Sequence, residues 1–194
     1  MRIFIITFEP FPVGMAATNR ILSLAKGLAE NGASVKVICT HPPERSYEGA
    51  VNNVAQGTVE RVDFEYPCGT TVRGETFLRR RRLTVKGIIR TLQILIGSKN
   101  TGEPVVVMQY LRDPKYVLLY YFMSRLLRMR YVRDVSEYPI VTLKKSLGAR
   151  VYQYLYSELM FRLFDAVLVM TKPLELFFTN RVRRSARLMM LPMT

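Results

Sequence analysis

Short apolar runs alternate with segments of helical periodicity along the whole sequence. Strands are predicted at 2–8, 34–39, 105–109, 131–135, 166–170 and 187–191, and helices after residue 18 and at 77–96, 115–129, 147–164 and 173–182. Residues 62–66 alternate apolar and polar side chains, which predicts a half-exposed edge strand. Strands separated by helices need crossover connections. The pattern therefore predicts an α/β fold, a Rossmann-like, open and mainly parallel sheet with helices on both faces.

The size and composition fit one globular domain spanning residues 1–194. Hydrophobic residues make up 49% of the chain and charged residues 23%, a balance typical of folded proteins. No apolar run reaches the roughly 18–20 residues that a transmembrane helix needs. Two cysteines do not suggest a disulfide framework and fit a reducing cytoplasm, and a single histidine leaves too few ligands for a usual zinc site. We therefore expect no metal.

The charge balance predicts a polyanionic partner. Lysines and arginines number 29 against 15 acidic residues, which gives a net charge of +14. The predicted helix at 77–96 begins with four consecutive arginines and carries two further basic residues; the set is Arg79, Arg80, Arg81, Arg82, Lys86 and Arg90. A basic amphipathic helix is typical of membrane-surface binding. The alternatives are solvated arginines on a helix that packs on the sheet, and a nucleic-acid patch, which the sequence supports least. We expect an anionic membrane and no nucleic acid.

The loop after the first strand is a candidate ligand site. Gly14 allows close approach of a ligand to the backbone, and the following helix begins near Thr18 or Asn19, either of which can cap it. Gly14, Met15, Thr18 and Asn19 are the candidate substrate-binding residues here. The sequence contains neither G-x-G-x-x-G nor G-x-x-x-x-G-K-[ST], and an ordinary turn glycine is the alternative.

Carboxylates near the ends of two central strands are the candidate catalytic and substrate-binding groups. Asp134 and Glu137 accompany the strand at 131–135, where catalytic groups of parallel sheets lie, and either could accept a proton from an attacking hydroxyl. The alternative is that they cap the next helix or pair with Arg133. Asp113 follows the preceding strand and precedes Pro114, a pattern typical of a helix N-cap, and it is also a candidate for substrate binding.

Four segments resemble the N-terminal domain of GT-B glycosyltransferases, specifically the retaining family 4. They are 12–20 with Leu24, Ala25, Leu28, Gly32 and the strand at 35–38; 131–139, reading YVRDVSEYP; 164–171, reading FDAVLVMT; and 188–194. Their order and spacing carry the resemblance over nearly the whole chain. Where the family's first loop often has two glycines, this loop has Gly14.

The resemblance implies the acceptor-binding half of a glycosyltransferase, with the donor-binding second domain absent from this chain. The implied reaction moves a sugar, in the manner of a hexosyltransferase, from a nucleotide sugar to a sugar or lipid-linked acceptor without a cofactor. It implies a role in polysaccharide or glycolipid biosynthesis at the cytoplasmic face of the membrane, and no useful turnover by this chain alone. The alternatives are a non-catalytic membrane-recruiting subunit of a two-chain transferase and an epimerase-like Rossmann protein.

Overall fold

The predicted fold class is confirmed. The structure is a computed structural model that describes residues 1–42, 54–99, 102–111, 113–139 and 147–192. Within these residues the protein is α/β, with an eight-stranded, mostly parallel sheet flanked by helices. Residues 43–53, and the last two residues of the segment 188–194, lie outside the described ranges.

Eight strands and five α-helices can be assigned in the described ranges. The strands are β1 (Arg2–Thr7), β2 (Ser34–Cys39), β3 (Gln56–Val59), β4 (Val62–Glu65), β5 (Val105–Gln109), β6 (Arg130–Val135), β7 (Ala166–Val169) and β8 (Arg187–Met190). The helices are α1 (Ala16–Glu30), α2 (Phe77–Ser98), α3 (Pro114–Leu126), α4 (Leu147–Tyr154) and α5 (Lys172–Phe178). The strand order is β3-β4-β2-β1-β5-β6-β7-β8. By compactness the chain divides into two units, Met1–Val107 and Met108–Thr194.

The first unit is built on parallel pairing of β1, β2 and β4. Ile5 of β1 lies opposite Val37 of β2, and Val37 lies opposite Phe64 of β4. These side chains are buried, as is nearly all of β1, because the middle strands of a parallel sheet are covered on both faces. The continuous apolar run at the start of the chain is therefore a central strand.

The edge of this unit differs from the prediction. Strand β3 pairs antiparallel with β4, so β4 lies inside the sheet and β3 forms the edge. Two residues, Glu60 and Arg61, connect them, with φ values of 47° and 67°. Positive φ at both turn positions is typical of a type I′ hairpin, whose usual sequence signal is Asn-Gly or Asp-Gly. The sequence lacks that signal, and the polar strand QGTV has little strand character.

The start of α1 also differs from the prediction. The helix begins at Ala16, and its N-cap is Met15, which provides no side-chain cap. Thr18, expected as a possible cap, lies buried in the first turn, and its hydroxyl donates a hydrogen bond to the Pro10 carbonyl oxygen at 2.7 Å. Asn19 is already helical, since its N–H donates to the Met15 carbonyl oxygen. The capping prediction for both residues was therefore wrong.

Helix α2 packs through small residues together with one side chain of its aliphatic face, Leu95. Gly87, Thr91, Leu95 and Ser98 are its buried residues. A Cβ at Gly87 would lie 1.7 Å from the Thr40 carbonyl oxygen, so only glycine permits this approach of the helix to the residue after β2. The helical spacing of the sequence puts six aliphatic residues on one face: Val85, Ile88, Ile89, Leu92, Leu95 and Ile96. Of these, Leu95 is buried and Ile88 and Leu92 are half-buried, whereas Val85, Ile89 and Ile96 are at least half exposed.

The second unit contains the parallel strands β6, β7 and β8. Asp134 lies opposite Leu168, which in turn lies opposite Met189. The helix predicted at 147–164 is α4 followed by a π-helical turn at Leu155–Leu159 and a 3₁₀ turn at Met160–Leu163. Aromatic rings of Tyr131, Phe161, Phe164 and Phe178 form the core, with Tyr131 and Phe164 stacked at 4.5 Å.

Candidate functional site

The loop between β1 and α1 is held rigidly from two sides. The Tyr66 hydroxyl accepts a hydrogen bond from the Phe11 N–H at 2.8 Å and lies 3.1 Å from the Phe11 carbonyl oxygen, to which it donates. The Thr18 hydroxyl binds the Pro10 carbonyl oxygen from the helix side. The Phe11–Pro12 peptide bond is cis. Buried backbone groups of the loop thus find partners within the fold.

Gly14 is required by the packing of this loop. A Cβ at this position would lie 2.2 Å from the Thr18 hydroxyl oxygen and 2.9 Å from Cγ of Pro10. Gly14 and Thr18 therefore both have a structural role in the loop, and this role alone explains why these residue types occur here. Met15 and Asn19 are exposed at the start of α1, so they are the predicted substrate-binding residues that a ligand can reach.

The two predicted catalytic carboxylates occupy different environments in the second unit. Asp134 lies inside β6 and is buried, with 3% of its surface exposed. Glu137 follows the strand by two residues and is exposed. Of the pair, Glu137 is the one with an exposed side chain.

Asp113 is the N-cap of α3. Its Oδ1 accepts a hydrogen bond from the Lys115 N–H at 3.1 Å, its Oδ2 lies 2.8 Å from the Lys115 ammonium, and Pro114 occupies the first turn. This is the capping role that the Asp-Pro pattern predicted. Burial raises the pKa of the Tyr152 phenol, and the negative charge of nearby Asp113 raises it further.

Arg133 is a buried cation that the sequence did not single out as a site. Its guanidinium donates hydrogen bonds to the Leu111 carbonyl oxygen and, at 2.9 Å, to the Tyr156 hydroxyl in the π-helical turn. Its Nε has no partner in the described part of the chain. The residue ties the segment after β5 and the π-helical turn to β6.

Asp165 joins three segments of the second unit, and no sequence argument assigned it a role. Its carboxylate accepts a hydrogen bond from the Tyr131 N–H at 2.7 Å and pairs with the guanidinium groups of Arg125 and Arg183. Burial by itself raises the pKa of Asp165, but the Tyr131 N–H and Arg125 act against it, with a further contribution from Arg183. The net result is a pKa below the usual range of a carboxyl group. The sequence feature that could have indicated Asp165 is its position directly before an apolar strand.

One face of α2 exposes basic and apolar side chains together. Val85 and Ile89 are 54% and 50% exposed, and the basic residues Arg81, Arg82, Lys86 and Arg90 line the same shallow groove with Gln93. At the start of the helix Phe77 and Leu78 are exposed, and the Arg81 guanidinium lies 5.0 Å from the Phe77 ring centroid. Arg79 is exposed, whereas Arg80 is half-buried. Part of the aliphatic face of α2 thus lies exposed beside its basic residues.

The described residues offer no site for metal or thiol chemistry. They contain no group of three or more histidine, cysteine or acidic residues that could hold a metal ion. Burial raises the pKa of both the Cys39 and the Cys68 thiol, which keeps them protonated and poorly nucleophilic. Among the helices of the described ranges, none is long and apolar enough to cross a membrane.

Comparison with known protein families and with curated proteins finds no match for this sequence.

Proposed function

We propose that this chain is the acceptor-binding half of a GT-B glycosyltransferase that works on an anionic membrane surface. It receives the acceptor, a sugar or a lipid-linked sugar, while the donor is a nucleotide sugar held by a second domain or chain. The site of action is the cytoplasmic face of the cell membrane, and the product belongs to a glycolipid or polysaccharide.

The observation that carries the membrane part of the proposal is the composition of the exposed α2 face, while the transferase part rests on the sequence resemblance and the Rossmann-like sheet. Membrane-surface helices combine apolar side chains, which enter the interface, with cations that attract anionic lipids. Val85 and Ile89 are the apolar side chains of this face, and Arg81, Arg82, Lys86 and Arg90 are its cations. Each cation near an anionic surface contributes about 1 kcal/mol, so several together can hold the protein there.

Within the proposed reaction, Glu137 is the residue that would assist the acceptor. An exposed carboxylate just past a strand end can accept a hydrogen bond from an acceptor hydroxyl and take its proton as the sugar is transferred. Asp134, buried in β6, would support the strand from which this segment leaves. Met15 and Asn19, exposed at the start of α1, are the residues of the first unit that a ligand of that unit could reach.

A non-catalytic recruiting subunit is the second candidate. The observation in its favour is that Asp134 is buried and Asp113 is engaged as a helix cap, which leaves Glu137 as the exposed member of the three carboxylates. Such a subunit would place a catalytic partner chain on the membrane through α2 and need no acid or base of its own.

A gene-replacement experiment tests the proposal. Deletion of the gene should remove a glycolipid or polysaccharide, and the wild-type gene should restore it. Restoration of the product should fail with the quadruple variant Arg79→Gln, Arg80→Gln, Arg81→Gln, Arg82→Gln. It should succeed with a matched control that changes four exposed arginines of the second unit: Arg128→Gln, Arg130→Gln, Arg184→Gln, Arg187→Gln. An unchanged glycan profile in the deletion strain contradicts the proposal.

The variant Glu137→Ala separates the two candidates in the same strain. Loss of the product supports an enzyme, because a positioned base contributes about 10²–10⁴-fold to the rate. Full restoration by Glu137→Ala supports the recruiting subunit.

A further inference from the structure

A small basic pocket lies beside the exposed basic and apolar face of α2, at the carboxyl end of β2. It is lined by His41 and Pro42 after the strand, by Arg73 and Gly74 in the following loop, and by Arg80, Leu83 and Thr84 of α2. Its volume of about 70 Å³ leaves room for one tetrahedral anion, since a buried water needs about 10–15 Å³. No sequence motif includes His41 or Arg73.

The pocket is built by close backbone packing. A Cβ at Gly74 would lie 3.0 Å from the Arg80 backbone nitrogen and 2.9 Å from Cγ of Arg79, so glycine lets the loop lie directly on the first turn of α2. This contact brings Arg73 next to the helix. Arg80 is oriented by its Nε, which donates to the Thr76 carbonyl oxygen at 3.4 Å.

The opposite wall is equally ordered. The His41 imidazole stacks on the Phe8 ring with a centroid separation of 3.9 Å and an interplanar angle of 20°. Its Nδ1 lies 3.1 Å from the Pro42 carbonyl oxygen, a contact that suits Nδ1–H as the donor. Stacking and this hydrogen bond fix the plane of the ring. The imidazole is therefore a rigid side of the pocket.

The chemistry of the lining selects an anion. Among the described residues that line the pocket are two guanidinium groups, an imidazole and a threonine, with no carboxylate. Guanidinium groups offer paired N–H donors that match phosphate oxygens, and charge-assisted bonds of this kind are the strong ones. The first turn of α2 adds the positive end of a 22-residue helix to the same region.

We propose that this pocket binds a phosphoryl group. The inference deepens the proposed function and rests on it for the ligand's role: the acceptor carries a phosphomonoester or phosphodiester headgroup, which Arg73 and Arg80 hold at the membrane surface. The same chemistry would accept free phosphate, so the test distinguishes a lipid headgroup from a soluble ion.

The single histidine of the chain provides the readout, because its Hε1 proton gives one imidazole signal in an NMR spectrum. Inorganic phosphate titrated at constant ionic strength should shift this signal saturably. The variant Arg73→Gln, Arg80→Gln should weaken binding at least tenfold. The control Arg81→Gln, Arg82→Gln removes the same charge from the neighbouring groove and should bind phosphate as the wild type does. Thermal melts establish that both variants fold.

A vesicle arm identifies the source of the phosphoryl group. If it is a lipid headgroup, the wild type should sediment more with phosphatidic acid than with phosphatidylserine vesicles of equal surface charge, and Arg73→Gln, Arg80→Gln should lose that preference. Equal sedimentation together with a saturable phosphate shift supports a soluble ligand. Absence of a saturable shift, or equal shifts in both double variants, overturns the pocket. If the phosphate pocket is overturned but the wild type still binds anionic vesicles, the proposed membrane binding by α2 is retained and the pocket is rejected.

Discussion

The hydroxyl of Tyr66 bridges the backbone of Phe11, 2.8 Å from its nitrogen and 3.1 Å from its oxygen, across 55 residues of sequence. One side chain thus replaces two backbone hydrogen bonds in the loop after β1. All three groups are buried, so water cannot take over either bond. The residue that follows β4 therefore helps to fix the shape of this loop.

Removing the Tyr66 hydroxyl should destabilise the protein without changing its fold. Tyr66→Phe leaves a buried N–H and a buried carbonyl oxygen with one partner fewer, a loss of about 1–3 kcal/mol in the free energy of unfolding. Tyr154→Phe, which removes a hydroxyl from a side chain 60% exposed, is the control and should be nearly neutral. Urea unfolding of the three proteins checks this. Equal stabilities would show that the bridge contributes nothing.

Gly14 should respond to substitution through Thr18. In Gly14→Ala the new methyl group meets the Thr18 hydroxyl, and overpacking of this kind costs about 1–3 kcal/mol. Adding Thr18→Ala removes the nearest atom, so the double variant should lose less than the sum of the single changes. Gly27→Ala in α1, where a Cβ meets nothing within 4 Å, should instead stabilise by about 0.5–1 kcal/mol. Additive effects at 14 and 18 would contradict the contact.

Two glycines of α2 should behave oppositely. Gly87→Ala would force a methyl group into the Thr40 carbonyl and push the helix from β2, so a loss of at least about 1–3 kcal/mol is expected. Gly97→Ala, ten residues on in the same helix, meets open space and should raise stability. Thermal unfolding of the pair measures the difference. A tolerated alanine at 87 would mean that α2 does not approach the strand end so closely.

The carboxylate of Asp165 should make stability depend on acid. Because its folded-state pKa is lowered below the unfolded value of about 3.9, its contribution is fully present above that value. It is lost as pH falls through the lower folded-state pKa. Asp165→Asn should therefore lower the free energy of unfolding by about 1–3 kcal/mol at pH 6, and this difference from the wild type should narrow below about pH 4.

The exposed pair of Lys26 and Glu60 provides the control for this titration. Both side chains are nearly half exposed, so Glu60→Gln should change the melting temperature little at any pH. A gap for Asp165→Asn that stays constant from pH 6 to pH 3 would show that the charge of Asp165 is not what stabilises the fold.

Phe77 and Leu78 should give vesicle binding a component that survives salt. Electrostatic attraction fades at 1 M salt, where the Debye length is about 3 Å, while burial of apolar surface persists. Phe77→Ser, Leu78→Ser should reduce the residual sedimentation with anionic vesicles at 1 M salt. The control Phe122→Ser, Leu126→Ser alters two similarly exposed residues of α3 and should leave it unchanged. Binding that vanishes completely in wild type at high salt would contradict insertion of these side chains.

The sequence predicted the sheet and its order of elements better than its surfaces. Apolar runs identify buried strands because both faces of a parallel strand are covered, and the predicted strands 34–39 and 105–109 coincide with β2 and β5. In α2 the periodicity identified one apolar face, of which Leu95 is buried while Val85 and Ile89 are exposed. The close approach of Gly87 to Thr40 puts small residues on the packing face beside Leu95, and hydrophobicity alone does not reveal such a contact.

The candidate site was predictable in part for similar reasons. The Asp-Pro pattern identified Asp113 as a cap because capping is local. Asp165 and Tyr66 escaped notice because their partners lie 34 and 55 residues away. The pocket at His41 was not predicted, because its two arginines, Arg73 and Arg80, are brought together by the contact of Gly74 with α2. Residue spacing in the sequence does not reveal such a contact.

The hairpin of β3 and β4 has a consequence for solubility. Both turn residues adopt positive φ without being glycine, asparagine or aspartate, which disfavours the hairpin by about 1–2 kcal/mol each. Strand β3 is four residues long and mostly exposed, so it is held weakly. It nevertheless covers β4, whose Val62 and Phe64 would otherwise stand at an open edge able to pair with another chain. Self-association of this protein on warming would therefore begin where β3 leaves the sheet.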